Sequence, residues 1–473
     1  MWKLPSRVLL LVIILMMLFS IPVAAQSDGP VYIVQAGDTL TAIATRFGTS
    51  VDEIMALNGI TDASLLFVGM ELFIPGFEGL SGVLTNHEVA LGENLESLAH
   101  KFNLPPEVII RLNRIVHPHK LYVGQEIVLI EGGSGGENDF SYPEFWMASS
   151  AEEGRLSIAL THDVNPWSID YASGQPNRMW GVAGSPFQNM EREAGGDLFP
   201  GIIEEVVITP STIEQGNTET IHVRTRTAAN LEGRLGEYVL EFFPNRMIGG
   251  YNALQGIHAL EEPGLYDLEI IVRSPDTDAI VSTFIQPIEV FEGDYGFQRI
   301  NGVPAETIDP ANTEPEQNLV EEQLAPVSEE RLWEGAFDFP SQYYTEKFLS
   351  TYGLRRSYNN DSYFYYHTGL DFYGFGIPIY APADGRVAFT GSLIVRGDTT
   401  YIDHGWGVYS GYFHQSEIYV TEGEMVERGQ VIGKVGGSGR ATGPHLHWEI
   451  WVGGVPVDPL DWVEMEFPVV DAD

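Results

Sequence analysis

The feature that most constrains how this chain folds is an internal repeat that runs without a gap. Gly37-Asp38-Thr39-Leu40 recurs as Gly92-Glu93-Asn94-Leu95, 55 residues further on. The same offset pairs Ala44 with Ala99, Phe47 with Phe102, Ile54 with Ile109, Asn58 with Asn113 and Gly69 with Gly124. A period held over so many positions is duplication, so the chain must build two copies of one small unit. Each copy opens on a strand-like piece, Val31 to Val34 or Val83 to Val89. Leu40, Ile43, Ala44 and Phe47 then follow at i, i+3, i+4 and i+7, the apolar face of a helix. Asp38-Thr39 offers polar N-cap candidates for it. A second short helix ends near Asn58 or Asn113, and a closing strand follows Val68-Gly69 or Val123-Gly124. Each unit therefore reads βααβ, over residues 31–76 and 82–131.

A chain of 473 residues is too long for one core and calls for three or four domains. Gly132-Gly133-Ser134-Gly135-Gly136 is a flexible linker by composition. Residues 140–298 read as a β-sandwich-like middle domain: Val206 to Thr209, Thr220 to Thr225, Tyr238 to Phe243, Leu265 to Ile270 and Ile280 to Phe284 are candidate strands between turn residues. His162, His222 and His258 are isolated there and read as ordinary surface or core histidines. Residues 299–331 are acidic and proline-punctuated, an interdomain linker in which Gln317 to Gln323 can form a short helix. Residues 332–462 are dense in glycine and tyrosine, with short β-like runs such as Ile377 to Tyr380 and Gln430 to Gly433. They read as an antiparallel β domain with little helix. The fold class is thus multidomain and mainly β, with two small α+β modules.

The N-terminus carries Lys3 and Arg7, an apolar run from Val8, and Val23-Ala24-Ala25 before Gln26. Residues 1–25 read as a secretory signal peptide. The rival reading is an uncleaved anchor, because the apolar run is nearly long enough to span a membrane; membrane association is expected only by that route. The net charge of −41 argues against nucleic-acid binding, which needs basic stripes. The absence of cysteine removes disulfides, thiolate metal sites, cysteine nucleophiles and a lipid-modified cysteine together.

The chemistry is concentrated near the C-terminus. His367-Thr368-Gly369-Leu370-Asp371, Tyr412-Phe413-His414 and Gly443-Pro444-His445-Leu446-His447-Trp448-Glu449 fall within about 80 residues, and five of the 12 histidines lie there. On a strand side chains alternate, so His445 and His447 share a face while Leu446 points into the core. His367 and Asp371 are also an even number apart and can share a face if extended. Two histidines and a carboxylate make a catalytic type of zinc set with one position left for water. Zinc acidifies that water and polarises a carbonyl, the two needs of amide hydrolysis. The remaining histidines, His414 and His445, suit a general base and a donor to the developing oxyanion, in either order. His404 reads as structural.

These residues carry two resemblances. The repeats resemble LysM modules through Gly37-Asp38-Thr39-Leu40, Ile43-Ala44, Leu57-Asn58 and Val68 to Leu72, with Glu93-Asn94 replacing the usual Asp-Thr in the second copy. The C-terminal block resembles the lysostaphin-type (LytM) zinc endopeptidase domain through His367 to Asp371, Ile377-Pro378, Ala381 to Gly385, Tyr412 to His414, Gly429 to Gly433 and Gly439 to Glu449. The second resemblance implies one Zn2+ per chain on His367, Asp371 and His447, with His414 and His445 as the catalytic pair. Together they imply a secreted bacterial cell-wall hydrolase that cleaves peptide bonds in the stems or crossbridges of peptidoglycan, with LysM modules holding the glycan. The alternative is a wall-binding regulator, silent or inhibited, that activates a separate amidase; the sequence names no regulatory partner.

Overall fold

The computed structural model describes residues 29–469 apart from 78–79, 116–120, 246–248, 342–347 and most of 133–200. Within that last stretch only the strands Trp146–Ala148, Ile169–Tyr171 and Pro186–Asn189 are described, as one three-stranded sheet. The N-terminal segment, most of the glycine linker, His162 and the first part of the middle region lie outside the described residues. The chain is mainly β, as expected, and divides into two units, the first built by the repeats. No helix among the described residues is long and apolar enough to cross a membrane.

In the first unit the helices Leu40–Phe47 and Leu95–Lys101 open the two copies. Leu40, Ile43, Ala44 and Phe47 are the buried face. Thr39 caps the first helix by accepting from the Ala42 N–H at 3.1 Å. In the second copy Asn94 takes the same place in a reciprocal cap with Ser97, so the sequence departure there costs the helix nothing. The repeated asparagine is a staple. Asn58 Oδ1 accepts the Phe73 N–H at 2.7 Å while its amide donates to the Ile54 and Phe73 carbonyls, both at 2.8 Å. Asn113 does the same with Ile109 and Val128. The strands of both copies lie in one sheet, in the order Glu71–Phe73, Val31–Ile33, Val83–Glu88, Glu126–Glu131. Val31 pairs with Val83 in parallel, so each copy covers an edge of the other. A repeat in sequence cannot disclose that shared sheet.

The second unit starts, among its fully described parts, with a sandwich. Sheets containing Thr218–Thr225 and Gly264–Arg273 face each other across Ile221, Val223, Ala253, Leu268, Ile270, Phe284 and Ile288. His222 is buried and bonded to Asn252 Oδ1 at 2.6 Å, and His258 meets the Tyr366 hydroxyl; among the described residues neither is in a group placed to hold a metal.

The C-terminal sheet runs Leu370–Tyr373, His445–Val452, Val408–Ile418, Gly397–Gly405, Gly385–Leu393, Met425–Val426, with side strands completing nine. Leu446, Trp448 and Ile450 are fully buried in its core. Phe243 and Leu254 of the sandwich join that core, Phe243 stacking on Trp406 at 4.9 Å.

The acidic, proline-punctuated stretch contains more structure than its composition suggests. A helix spans Pro310–Leu324, capped by Asp309, well beyond the short helix expected at Gln317 to Gln323. Its Val320 and Leu324 are buried with Tyr401, Tyr409, Phe413 and Trp451. Only three of its residues are buried, so no strong apolar stripe marks it in sequence. Its anchor is instead ionic. The Glu316 carboxylate meets Arg396 Nη1 at 3.0 Å and accepts the N–H groups of Val395 at 2.7 Å and Arg396 at 3.2 Å.

Candidate active site

The register of three strands assembles the site. Asp371 lies opposite His447 on one side, and Phe413 lies opposite His447 on the other. Alternation along His445–Val452 turns His445, His447 and Glu449 one way and buries Leu446 and Trp448 the other. His367 precedes the Leu370–Tyr373 strand in an irregular turn rather than lying on it. Gly369 makes the turn possible, because a Cβ there would sit 2.0 Å from the Trp448 carbonyl oxygen. The sequence expectation that His367 and Asp371 share a face is met by this close approach, not by simple strand alternation.

His367 Nε2, Asp371 Oδ1 and His447 Nδ1 converge, at 2.9 Å for His367 to Asp371, 3.0 Å for His367 to His447 and 2.8 Å for His447 to Asp371. The far side of each group is tied. His367 Nδ1 donates to the Thr351 carbonyl at 2.6 Å, which leaves the Nε2 lone pair pointing inward. His447 Nε2 reaches Glu449 Oε1 at 3.0 Å, and Arg356 Nη2 donates to Asp371 Oδ2 at 2.9 Å. Two imidazole nitrogens and a carboxylate oxygen thus face one point. That arrangement calls for a cation, and an N, N, O donor set suits zinc.

The electrostatics agree. Burial holds His367 down to about 4, as a neutral ligand requires. Burial would raise Asp371, but the neighbouring His367 and His447 outweigh it and hold the carboxyl well below its usual range. Burial also lowers His447, yet its bonds to Asp371 and Glu449 outweigh that, so the pocket favours positive charge at this ring, whether proton or metal.

His414 and His445 stand next to the three, their rings 4.7 Å apart. His414 Nδ1 donates to the Ser438 carbonyl at 2.6 Å and His445 Nδ1 to the Gly443 carbonyl at 2.8 Å. Each therefore keeps its Nε2 for other work. His414 has φ +58°, a left-handed conformation that its surroundings must hold, and its N–H donates to the Arg396 carbonyl at 2.9 Å. Burial, then the neighbouring His445 and His447, keep the His414 ring well below the usual imidazole range. His404 is buried elsewhere, its ring nitrogens bonded to the Asp384 carbonyl and Ser410 Oγ. The five residues open on a cavity of about 710 Å³, whose walls include the helix Pro310–Leu324 and Tyr358, Tyr363 and Tyr365.

Three supporting groups were not singled out from sequence. Glu449 was legible as the next residue of the same strand parity after His447. Arg356 and the Thr351 carbonyl were not, since only the tertiary fold brings residues 15 or more positions away into contact. Glu449 also accepts Trp451 Nε1 at 2.6 Å and a bond from Thr368 Oγ1, and is itself buried. Glu449→Gln should lower metal affinity about 10- to 100-fold, as loss of an outer-shell partner does. Competition with a chromogenic chelator measures this, and an unchanged affinity would remove Glu449 from the metal's support.

Comparison with known proteins follows the same division. Residues 365–459 match Peptidase family M23, and residues 32–75 and 87–129 match the LysM domain. Over 95 residues the chain is 43% identical to the peptidoglycan DD-endopeptidase ShyA of Vibrio cholerae, covering 20% of this chain and 22% of that protein. It is 44% identical over 95 residues to the DD-carboxypeptidase/endopeptidase Mpg of Neisseria meningitidis, with the same 20% and 22% coverage. The match thus spans about a fifth of these relatives' length. The catalytic domain of lysostaphin from Staphylococcus simulans aligns at 25% identity and a TM-score of 0.21, over 28% of this chain and 90% of that one. The chain carries an M23 peptidase domain and two LysM domains.

Proposed function

We propose, for a chain that carries an M23 peptidase domain behind two LysM domains, that it is a secreted, zinc-dependent peptidoglycan endopeptidase. The observation that carries this reading is the convergence of His367, Asp371 and His447 beside the His414–His445 pair in one groove. His367, Asp371 and His447 would hold the metal. When bound, zinc supplies Lewis acidity toward a scissile carbonyl and toward water. The chain's own residues do the rest. Thr351, Glu449 and Arg356 hold the ligand atoms inward. His414 and His445 present Nε2 to the groove, one to take a proton from the attacking water, the other to donate to the oxyanion.

The LysM modules hold the enzyme on glycan, which raises the effective concentration of the peptidase at its substrate. The relatives named as DD-endopeptidases support peptidoglycan as substrate. The test is metal content together with release of soluble peptides from purified peptidoglycan by the full-length chain. The expected result is about one zinc per chain and release that stops with a chelator and returns with zinc. Wall binding with bound zinc but no release would replace this reading with that of a regulator.

A further inference from the structure

Four arginines line the cavity: Arg299, Arg356, Arg396 and Arg440. Three have a carboxylate within ion-pair distance. Arg299 meets Asp361 at 3.4 Å, Arg356 meets Asp371 at 2.9 Å and Arg396 meets Glu316 at 3.0 Å. Arg440 has no ion pair among the described residues. Its guanidinium lies over Tyr358 at 4.8 Å and Tyr363 at 5.8 Å, with one long bond, 3.4 Å, to the Thr307 carbonyl. Its backbone is fixed by a 2.7 Å bond to Val395, and it is half-buried, five residues before His445 in the same loop.

In a chain of net charge −41, a cation held on the wall of the groove without an anionic partner is unusual. Aromatic faces hold a guanidinium flat and leave its edge free, the geometry that receives a carboxylate with two parallel bonds. A partly enclosed groove strengthens such a bond relative to open water. We propose that Arg440 is a specificity-determining residue that binds a free carboxylate of the substrate peptide beside the scissile bond. The inference rests on the endopeptidase reading above and adds to it the chemical class of the group recognised: an anionic peptide, with its carboxylate unmodified.

The test uses the full-length chain and soluble peptidoglycan-derived peptides, in which the carboxylates are left free or amidated one at a time. The wild type should prefer the free acid at one position by about 10- to 100-fold in kcat/KM, mostly through KM. Arg440→Gln should bring that ratio close to one by losing the free-acid substrate selectively, and Arg440→Lys should keep part of it. Equal cleavage of free and amidated peptides by the wild type overturns this inference while leaving the endopeptidase reading intact. A preference that persists in Arg440→Gln, or an equal loss on both substrates, overturns it too, because the arginine would then only support the tyrosines. Failure of the wild type to cut any of the peptides or intact peptidoglycan overturns both.

Discussion

His445→Ala should lower kcat for peptide release by about 10²- to 10⁴-fold, the usual contribution of a positioned acid or base, while the bound metal remains. The separation of the two effects follows from geometry. His445 Nε2 lies 3.7 Å from Asp371 Oδ1, outside the 2.8–3.0 Å triangle made by His367, Asp371 and His447. Its ring is also oriented independently of that triangle, through the Gly443 carbonyl. His447→Ala, by contrast, should remove metal and activity together. The measurement is metal content beside single-turnover cleavage for both variants. Loss of metal in His445→Ala would make His445 a ligand, and activity within twofold of wild type would remove it from the catalytic pair.

The second large effect lies in the helix Pro310–Leu324. Glu316→Ala should destabilise the second unit by about 3–5 kcal/mol, the range for breaking a buried ion pair and leaving one charge behind. Both side chains are enclosed, at 4% exposure for Glu316 and 11% for Arg396, so solvent cannot take over the pairing. Burial disfavours the charged guanidinium, but Tyr401, Glu449 and Glu316 outweigh it; a guanidinium keeps its proton in a protein, so Arg396 stays charged after the Glu316 carboxylate is removed. The loss should reach the site as well. The Arg396 carbonyl holds the His414 N–H, and its guanidinium lies 5.5 Å over Phe413, which stacks on His447 at 5.1 Å. Denaturant unfolding followed by the tryptophans of the catalytic core, with activity measured below the transition, reads both effects. Glu316→Leu combined with Arg396→Met should recover much of the stability, because an apolar pair leaves no buried charge. A shift under about 1 kcal/mol in Glu316→Ala would mean that the pair contributes as little as a surface salt bridge.

The fate of this helix shows the limit of composition as a guide. Acidic residues and prolines at 310 and 315 suggest a linker, yet Pro310 sits in the first turn where proline is tolerated. What binds the segment is the Glu316 carboxylate finding Arg396, 80 residues away in sequence, together with the burial of Val320 and Leu324.

Local pattern alone determined the duplicated modules, because their helices are amphipathic and the period is ungapped. It also determined the common face of His445 and His447, because alternation is a property of any strand, whereas the roles of the five site residues came from the resemblance. Tertiary structure decided what depends on partners distant in the chain. Among these are the shared sheet of the two repeats and the turn at Gly369 that swings His367 onto Asp371. Packing of a separate sheet against the site brought Arg356 to the second oxygen of Asp371, and core packing brought Phe243 onto Trp406. Periodicity is written residue by residue along a chain. Register and long-range ion pairs are not, because they depend on which strand becomes whose neighbour, and that is decided only when the apolar faces close on one another.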